Sequence, residues 1–510
     1  MEERLVSVLE MGSTGIRLIV AQVLGGGDWK IMDSAGRPVA LGRDVFSSGE
    51  LSRESLLECL SVLHNFRELL SGWGIAAADA HGVATSALRV ARNRDIFLDR
   101  IRQETGFSLS VADGLEENRL MYLGVRYALK QDLPLFWRTN SMILEMGGGS
   151  TEVMLLRQGQ MAAAHSIKLG TVLIDRRMRL RAGPGFFSDR YLRDAVRNTI
   201  GLLNAEMAMA NVRTLILAGT DARLAAEQVG SELNEHCYAV SREDFIAFAE
   251  RIRNFSVDEC IRKLGLSYSE AEGFITGILV LKLFLEQTGA AQVVVPLVSI
   301  REGYLIDLSL GLDTAFQEEF HSQIVASAAS LGEKYNYEEA HSRHVAGLCM
   351  TLFDALTREH GMSRRQRVML ETAAILHDVG TIVRSSGHHK HGHYIVSNSE
   401  IFGLSRGELE IIANVIRYHR GDLPSESDIE YVSLQREERI LVLKMAAILR
   451  VADALDRSHS QKIKNLAVER RSSILALHAE GVYEISLELI SIEEKADLFQ
   501  NVFGYKVVLS

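Results

Sequence analysis

The chain has 510 residues, more than one hydrophobic core usually serves, so its length predicts several domains. Its composition, 47% apolar and 24% charged, is that of a globular protein, and a net charge of −10 argues against a general binder of nucleic acid polymers. The four cysteines are widely spaced, and no apolar run reaches the ~20 residues of a membrane helix. We therefore expect a cytoplasmic protein without disulfides, membrane span or secretory signal.

The first 310 residues alternate between strand and helix patterns. The stretch VLEMGSTGIRLIV has two apolar arms around a glycine-containing turn, which predicts a β-hairpin. A helix in ESLLECLSVLHNFRELLSGWG and a strand leading into a loop in HGVATSALR follow. The stretch ILEMGGGSTEVMLL then repeats the first hairpin, and TLILAGTDARLAAEQV is a strand, a turn and a helix start. This order predicts an α/β fold of two duplicated lobes, residues 1–124 and 125–310.

The remaining sequence has a different character. Residues 316–465 are predicted to be almost entirely helical, because apolar residues recur at helical spacing, as in EEAHSRHVAGLCMTLFDALTREHG. Short strand patterns return around one helix in residues 470–510, which predicts a small α+β domain.

The two repeated hairpins each carry a glycine-rich turn. Such a turn directs several backbone N–H groups to one side and can bind phosphate oxygens, with hydroxyl groups as further donors. An acidic residue beside bound phosphate requires a hard cation such as Mg²⁺ between them, and Glu10 and Glu145 precede the turns. One copy would be compatible with an ordinary hairpin, but two matching copies favour phosphate binding. The predicted phosphate-binding residues are Gly12, Ser13, Thr14, Gly147, Gly148, Gly149, Ser150 and Thr151.

Two lobes that each present a phosphate hairpin are typical of the actin-like, ribonuclease-H-like ATPase superfamily. Within it, the chain resembles the exopolyphosphatase and guanosine pentaphosphate phosphohydrolase family over nearly its whole length. Besides the hairpins, the segments that carry the resemblance are GVATSALRVARN, ADGLEENRLMYLGV, IKLGTVLIDRRM, LAGTDARLAAEQ, SIREGYLIDLSLG and SGHHKHGHYIVSNSEIFGLSR. The resemblance implies hydrolysis of a terminal phosphoanhydride bond with release of orthophosphate.

The resemblance also implies roles for individual residues. Glu117 aligns with the proposed catalytic base, with its neighbour Glu116 as the alternative, and Arg89 matches an arginine that contacts phosphate. Glu152 aligns with a second carboxylate that binds metal or positions water. Mg²⁺ or Mn²⁺ is the expected cofactor, held by Glu145, Glu152 and Glu10 in the cleft between the lobes.

The chain departs from the family pattern in both hairpins. Glu10 and Glu145 replace aspartates, Thr14 and Gly15 replace an Asn-Ser pair, and Asn118 replaces an alanine. A glutamate reaches ~1.5 Å further than an aspartate. Because Mg²⁺ requires near-octahedral coordination, this change could alter the metal or its affinity.

The helical region contains a second set of candidate metal ligands. Their order, a histidine, a His-Asp doublet, a histidine and an aspartate, resembles that of the HD phosphohydrolase superfamily, whose histidines and carboxylates hold divalent metals. His344, His388, His389 and His393 are instead expected to be capped or solvated, or to contact an anionic chain. The alternative for the whole set is an inherited helical scaffold without metal. The candidates are His341, His377, Asp378, His419 and Asp453.

The leading hypothesis is a homodimeric exopolyphosphatase that binds inorganic polyphosphate. Guanosine pentaphosphate is the alternative substrate within the same class, and Gly219 and Thr220 resemble a nucleotide-binding segment. From a different class, the two glutamates allow a weakly catalytic regulatory protein that binds polyphosphate, guanosine pentaphosphate or guanosine tetraphosphate.

Overall fold

The computed structural model describes residues 4–24, 29–129, 136, 138–182, 189–310, 314–421, 423–481 and 484–510. The chain forms two compact units, Met1–Glu319 and Phe320–Ser510. The first unit holds both predicted lobes. The second joins the predicted helical and α+β domains into one body.

The first lobe is built on a five-stranded sheet in the order β3-β2-β1-β4-β5. Strands β1, β2 and β3 form an antiparallel meander, whereas β4 and β5 run parallel to β1. The apolar arms of the first hairpin are buried in the core of this lobe, as Leu9 and Leu18 illustrate. The strands are β1 (Arg4–Met11), β2 (Gly15–Val23), β3 (Trp29–Pro38), β4 (His81–Ala84) and β5 (Leu109–Val111). The helices are α1 (Leu41–Ser48), α2 (Arg53–Gly72), α3 (Ser86–Val90), α4 (Arg94–Thr105) and α5 (Gly114–Ala128).

The second lobe repeats this topology with two additional strands. Its sheet order is β10-β11-β12-β9-β6-β7-β8, in which β6, β7 and β8 form the meander and β9 and β12 run parallel to β6. The strands are β6 (Ser141–Met146), β7 (Thr151–Arg157), β8 (Gln160–Ile167), β9 (Thr214–Ala218), β10 (Ser231–Asn234), β11 (Cys237–Ser241) and β12 (Gln292–Pro296). The two sheets thus share one connectivity, and each has its own core. The predicted duplication is present in the topology.

The helices between residues 171 and 310 follow the first three strands of the second sheet in sequence, and the longest of them is interrupted. They are α6 (Thr171–Ala182), α7 (Asp189–Leu203), α8 (Thr220–Val229), α9 (Arg242–Ile252), α10 (Val257–Leu264), α11 (Tyr268–Gln287) and α12 (Ile300–Leu310). Helix α11 has non-helical backbone angles at Glu272 and Gly273. The φ of +92° at Gly273 is a left-handed conformation that glycine adopts without a side-chain penalty.

Three details of the predicted organisation differ from the structure. Helix α5 continues through the predicted boundary at residues 124 and 125. Helix α12 follows the second sheet in sequence but packs against α5 and β1 of the first lobe, with Leu305 buried beside Val6 and Val8. The segment after β4, predicted to be a loop, forms the short helix α3.

The second unit combines helices with a three-stranded sheet. The helices are α13 (Thr314–Lys334), α14 (Glu339–Ala355), α15 (Thr357–His360), α16 (Arg364–Leu376), α17 (His388–Ser397), α18 (Arg406–Arg417), α19 (Ile429–Val432), α20 (Arg436–Ala454), α21 (Ser486–Lys495) and α22 (Asp497–Phe503). The sheet, β13-β14-β15, consists of β13 (Leu466–Arg471), β14 (Ile474–Ala479) and β15 (Lys506–Leu509). Strand β13 begins four residues before the predicted start of the small domain. Within the described ranges, no helix is long and apolar enough to span a membrane.

Candidate functional site

The two glycine-rich turns have the same local construction. In the first hairpin the Gly12 amide donates to the Gly15 carbonyl at 2.9 Å, and in the second the Gly147 amide donates to the Ser150 carbonyl at 2.9 Å. A neighbouring segment holds each turn in place. In the first turn, the Gly42 amide donates to the Ser13 carbonyl at 2.7 Å. In the second turn, Thr171 and Val172 donate to Gly147 and Gly148 at 3.0 Å each.

The two turns approach each other closely. A Cβ atom on Gly148 would lie 3.0 Å from the Ser13 Cβ, so the close approach requires glycine there. The Ser13 hydroxyl is 2.9 Å from the Ser86 hydroxyl at the start of α3. Across the described part of the chain, the amides of Ser13, Gly148 and Gly149 donate to no other group. These amides are therefore available to an anionic ligand.

A cleft of about 380 Å³ opens at the turns. Its walls include Gly12, Ser13, Thr14, Gly147, Gly148 and Ser150 from the predicted set, together with Glu10, Glu117, Glu145 and Glu152. Two of the predicted phosphate ligands, Gly149 and Thr151, are not part of the cleft wall. The Thr151 hydroxyl is fully buried and donates to the Leu169 carbonyl. The Cα of Gly149 packs so tightly that a Cβ there would lie 2.3 Å from the Phe46 ring, so its role is packing and only its amide remains for a ligand.

Glu117 lies near the start of α5, which Asp113 caps by accepting the Glu116 amide at 2.8 Å. Its Oε1 accepts from Arg89 Nη1 at 2.6 Å. Burial raises the pKa of Glu117, and the Arg89 guanidinium opposes that rise. Arg89 Nη2 also reaches the Ser150 hydroxyl at 3.4 Å. The predicted contact of Arg89 with phosphate stays a prediction; in the structure its guanidinium links Glu117 to Ser150 of the second turn.

Glu152 lies directly opposite Glu145 in the β6–β7 register. Its Oε1 accepts from the Ser166 hydroxyl at 2.8 Å, and its Oε2 accepts from the Asn118 amide at 3.4 Å. Burial and the Glu117 carboxylate raise the pKa of Glu152 well above its ordinary value, although the Ser166 hydrogen bond opposes this. A pair of carboxylates with raised pKa values accepts a proton more readily near neutral pH, which suits general-base catalysis.

The neighbouring Glu116 has a different environment. Its carboxylate pairs with Arg119 at 2.8 Å, and Arg119 pairs in turn with Asp307 on α12 at 2.7 Å. Glu116 is absent from the cleft wall. Of the two adjacent glutamates, only Glu117 is therefore placed to act on a ligand.

The glutamates at the two turns are not equivalent. Glu10 forms ion pairs with Arg301 at 3.1 Å and with Arg17 at 3.7 Å. Arginine side chains therefore neutralise Glu10, which was predicted to bind a metal ion. Glu145 has no hydrogen-bond or ion-pair partner among the residues that the structure describes. Burial, followed by the carboxylates of Glu117 and Glu10, raises the pKa of Glu145 to about 8. A cation in the cleft would stabilise the ionised form of Glu145.

The carboxylates of the cleft fit a Mg²⁺ ion that is only partly held by protein. In the described chain, groups of three candidate ligand atoms within 4.8 Å of one another occur only in the second unit. Mg²⁺ commonly binds through one or two carboxylates, with substrate phosphates and water completing its shell. Glu145 and Glu152 suffice for that arrangement.

Four arginines of the cleft were missed by the sequence reasoning. They line the cleft together with its acidic residues, and two of them, Arg17 and Arg301, are paired with Glu10. A usable signal existed for Arg17, because hairpin register places it opposite Glu10. The arginines are Arg17, Arg37, Arg223 and Arg301.

The second unit brings together all five metal ligands predicted there, His341, His377, Asp378, His419 and Asp453. His388, which was expected to be capped or solvated, joins them, and so does His459, which the sequence analysis did not single out. His344 and His393 do not belong to the cluster in the described structure.

Comparison with known proteins places the chain in a family. The family model described as the Ppx/GppA phosphatase family matches residues 19–311, and the model of its domain III matches residues 325–495. The chain belongs to the Ppx/GppA phosphatase family. Members of this family are phosphoanhydride hydrolases, so the chain is an enzyme of that class.

Several Ppx/GppA relatives match along nearly their whole length. A guanosine-5'-triphosphate,3'-diphosphate pyrophosphatase from Photobacterium profundum is 23% identical over 99% of this chain and 98% of its own. The protein of the same name from Vibrio atlanticus is 24% identical over 87% of this chain and 86% of its own.

Solved structures resemble the chain over about three fifths of its length. An exopolyphosphatase from Cytophaga hutchinsonii aligns with a TM-score of 0.55 and 19% identity, covering 61% of this chain and 99% of its own. A Ppx/GppA family member from Aquifex aeolicus aligns with a TM-score of 0.50 and 22% identity, with the same coverage. These likenesses show the shared actin-like fold.

Proposed function

We propose that the cleft of the first unit hydrolyses the terminal phosphoanhydride bond of inorganic polyphosphate and releases orthophosphate. The observation that carries this proposal is the convergence of two phosphate-binding turns, with unengaged amides, on the paired carboxylates of Glu117 and Glu152. Four arginines line the cleft, two of them paired with Glu10, and offer hydrogen-bond donors to a polyanion that extends beyond one phosphate.

In the proposed reaction the turns and arginines hold the terminal phosphoryl group, and Glu117 orients a water molecule. The water oxygen forms a bond to the terminal phosphorus while the bridging P–O bond breaks. Glu117 accepts the water proton, and the shortened polyphosphate leaves with the bridging oxygen. Arg89 acts as a positioning residue, because its ion pair at 2.6 Å fixes the Glu117 carboxylate.

The residues placed to hold Mg²⁺ or Mn²⁺ are Glu145 and Glu152. When bound, such an ion takes up charge on the transferring phosphoryl group. Glu152 is oriented for this by Ser166 and Asn118.

A second candidate substrate, guanosine pentaphosphate, is favoured by a separate cavity. This cavity of about 710 Å³ adjoins the first turn and shares Ser13 and Thr14 with the cleft. Its walls include the side chains of Phe46, Val172 and Tyr268, which suit the flat face of a base. The names of the relatives from Photobacterium and Vibrio point to the same chemistry.

The test compares two adjacent substitutions, Glu117→Gln and Glu116→Gln. We expect Glu117→Gln to lower kcat for orthophosphate release by about 10²–10⁴-fold with little change in KM, because it removes the base and keeps the binding groups. Glu116→Gln, on the same helix but outside the cleft, should retain nearly full turnover. Release should be measured from long-chain polyphosphate and from guanosine pentaphosphate.

The other possible outcomes of these measurements distinguish the remaining hypotheses. Near-wild-type release by Glu117→Gln would overturn the mechanism. Tight binding of both substrates by the wild-type protein with negligible release would instead support the regulatory, weakly catalytic alternative. Faster turnover of guanosine pentaphosphate than of polyphosphate would select the second candidate.

A further inference from the structure

A row of polar side chains crosses three strands of the second sheet. In the strand register, Glu145 on β6 lies opposite Glu152 on β7, and Glu152 lies opposite Ser166 on β8. Directly paired residues of antiparallel strands point to the same face of the sheet, with Cβ atoms about 4.5–5.5 Å apart. Two carboxylates therefore lie side by side on one face, an arrangement that is unfavourable unless other groups hold them apart.

The first turn of α5 packs directly on this row. Helix α5 contacts both β7 and β8. A Cβ atom on Gly114 would lie 2.2 Å from the Ser166 Cβ and 3.5 Å from Oε2 of Glu152, so this close approach requires glycine. Asn118 follows Gly114 by four residues and therefore occupies the same face of the helix, one turn further along. The helix thus brings one amide side chain to the row.

The Glu152 carboxylate is held at both of its oxygen atoms. Oε1 accepts from the Ser166 hydroxyl at 2.8 Å, and Oε2 accepts from the Asn118 amide at 3.4 Å. Ser166 is on β8, which lies on the opposite side of β7 from Glu145, and Asn118 is on the helix that packs on β7 and β8. Both contacts therefore direct the Glu152 carboxylate away from Glu145. Because there are two of them, they also fix the plane of the carboxylate.

Glu145 is not held in this way. Its neighbours on the other side of β6 are Ala218, which is opposite it in the register of β9, and Gly219, and neither has a side-chain donor. A Cβ on Gly219 would lie 3.5 Å from the Glu145 Cγ. No hydrogen bond or ion pair joins the Glu145 carboxylate to another residue in the described ranges. The separation of the two glutamates therefore depends on the groups that hold Glu152.

The donors on Glu152 are uncharged, in contrast to those on Glu10. Glu10 pairs with Arg301 and Arg17, which neutralise it. The Arg89 guanidinium is 3.9 Å from Oε1 of Glu152, beyond hydrogen-bond distance. A hydroxyl and an amide orient a carboxylate without competing with a metal ion for it, as the outer groups of metal sites commonly do.

The stability of the fold does not account for an asparagine at position 118. The side chain of Asn118 is fully buried, and its Oδ1 has no hydrogen-bond partner among the described groups. A buried acceptor without a partner destabilises the folded state. The contact of the amide with Glu152 is therefore what asparagine contributes at this position.

We propose that Asn118 is a positioning residue that keeps the Glu152 carboxylate apart from Glu145, so that both remain available to one divalent cation. This role rests on the proposed function of the cleft, in which Glu145 and Glu152 hold the cation. Glu145 and Asn118 are both departures from the family pattern, so the arrangement is particular to this chain. Without the amide, Ser166 alone holds Glu152, and its carboxylate is free to rotate toward Glu145.

Calorimetry of Mg²⁺ binding to the full-length protein tests the proposal. The titration contains methylenediphosphonate, a diphosphate analogue that is not hydrolysed, because phosphate oxygens complete the Mg²⁺ shell. We expect Asn118→Ala to weaken Mg²⁺ binding by about 10-fold, as does the loss of other groups that orient a metal ligand. At saturating Mg²⁺, kcat and KM for polyphosphate should stay near the wild-type values. Unchanged Mg²⁺ affinity in Asn118→Ala, or no Mg²⁺ binding by the wild type, would overturn the proposal.

Asn414→Ala is the matched control. Asn414, on α18 of the second unit, is also buried within a helix and also has an Oδ1 without a partner among the described groups. Its amide donates to the backbone carbonyl of Glu410 at 2.9 Å. Asn414→Ala should change the melting temperature about as much as Asn118→Ala does, but it should keep the wild-type Mg²⁺ affinity. An equal loss of Mg²⁺ affinity in the two variants would refute a positioning role.

A shorter side chain at position 145 tests the separation of the carboxylates directly. In Glu145→Asp the carboxylate is withdrawn by ~1.5 Å, so its separation from Glu152 depends less on Asn118. Asn118→Ala should therefore weaken Mg²⁺ binding less in the Glu145→Asp background than in the wild type. Equal losses in the two backgrounds would contradict the proposal. Because binding is measured without turnover, a protein that shows this pattern and releases no orthophosphate would retain the role of Asn118 and refute the proposed hydrolase.

Discussion

Glu10 and Glu145 occupy the same position in the two hairpins, but their carboxylates have different partners. The longer glutamate side chain at position 10 meets Arg301 at 3.1 Å, so that end of the cleft is neutralised by the protein. Glu145 lacks such a partner within the described chain, and its pKa is raised to about 8. Replacement of both family aspartates therefore has two separate consequences: one hairpin gains an ion pair, and the other keeps a carboxyl group whose ionised form a cation would stabilise.

Asp221, in the first turn of α8, gives a pH-dependent prediction. Burial, followed by the carboxylates of Asp175 and Glu270, raises the pKa of Asp221 to about 7. Folding thus favours the protonated form of Asp221. The stability that this proton contributes to the folded state is complete below the ordinary pKa of 3.8 and is lost as pH rises through 7. The free energy of unfolding of the wild type should therefore fall by up to about 1.4 kcal/mol per pH unit between pH 3.8 and 7. Asp221→Asn should lack this part of the pH dependence.

Urea unfolding of the first unit at a series of pH values measures this effect. Asp258→Asn, which changes an exposed aspartate in the first turn of α10, is the matched control and should keep the wild-type pH profile. An Asp221→Asn profile parallel to that of the wild type would contradict the prediction.

At the scale of elements, the second turn depends on its contact with the start of α6. A Cβ on Gly170 would lie 2.3 Å from the Gly148 carbonyl oxygen, so Gly170→Ala must displace the turn. We expect orthophosphate release to fall by about 10²-fold, because a displacement of this size misplaces the bound phosphoryl group. Gly201→Ala, on the exposed face of α7 with nothing described within 4 Å, should retain activity and stabilise its helix by ~0.5–1 kcal/mol. Equal activity of the two variants would refute this account of the turn.

The hairpins and main helices could be predicted from the sequence because their periodicity is local. Strands β1 and β2 and helix α2 lie where apolar spacing places them. The docking of α12 on the first lobe could not be predicted, since it depends on contacts between residues as distant in sequence as Val8 and Leu305. The short helix α3 was also missed, because five residues carry too little periodicity.

The candidate sites show the same division between local and long-range information. The turns were identified from glycine spacing, but the arginines that surround them come from several elements. In the second unit, GHHKHGH offers four histidines with nearly equal signals. Helix α17 begins after Gly387, at a φ of +76°, and this start directs His388 rather than His389 toward Asp378. The spacing of the histidines in the sequence does not indicate which of them faces Asp378.

At the scale of the whole molecule, the two units carry sites of different chemistry. The cleft of Met1–Glu319 offers amides, arginines and carboxylates, which suit phosphate and a hard cation. The cluster in Phe320–Ser510 offers mainly imidazoles, which suit transition metals. We therefore expect the two sites to bind their ligands independently.

Hydrogen exchange of the intact chain tests this independence. Because a ligand stabilises the state that binds it, Mn²⁺ at low concentration should slow amide exchange around α14, α16 and α20. Polyphosphate with Mg²⁺ should slow exchange around the two glycine-rich turns. Asp378→Asn should lose only the first protection, and Glu117→Gln should keep both, because it removes a catalytic base and not a binding group. Mn²⁺ protection that persists in Asp378→Asn, or that is confined to the turns, would show that the second unit holds no metal of its own.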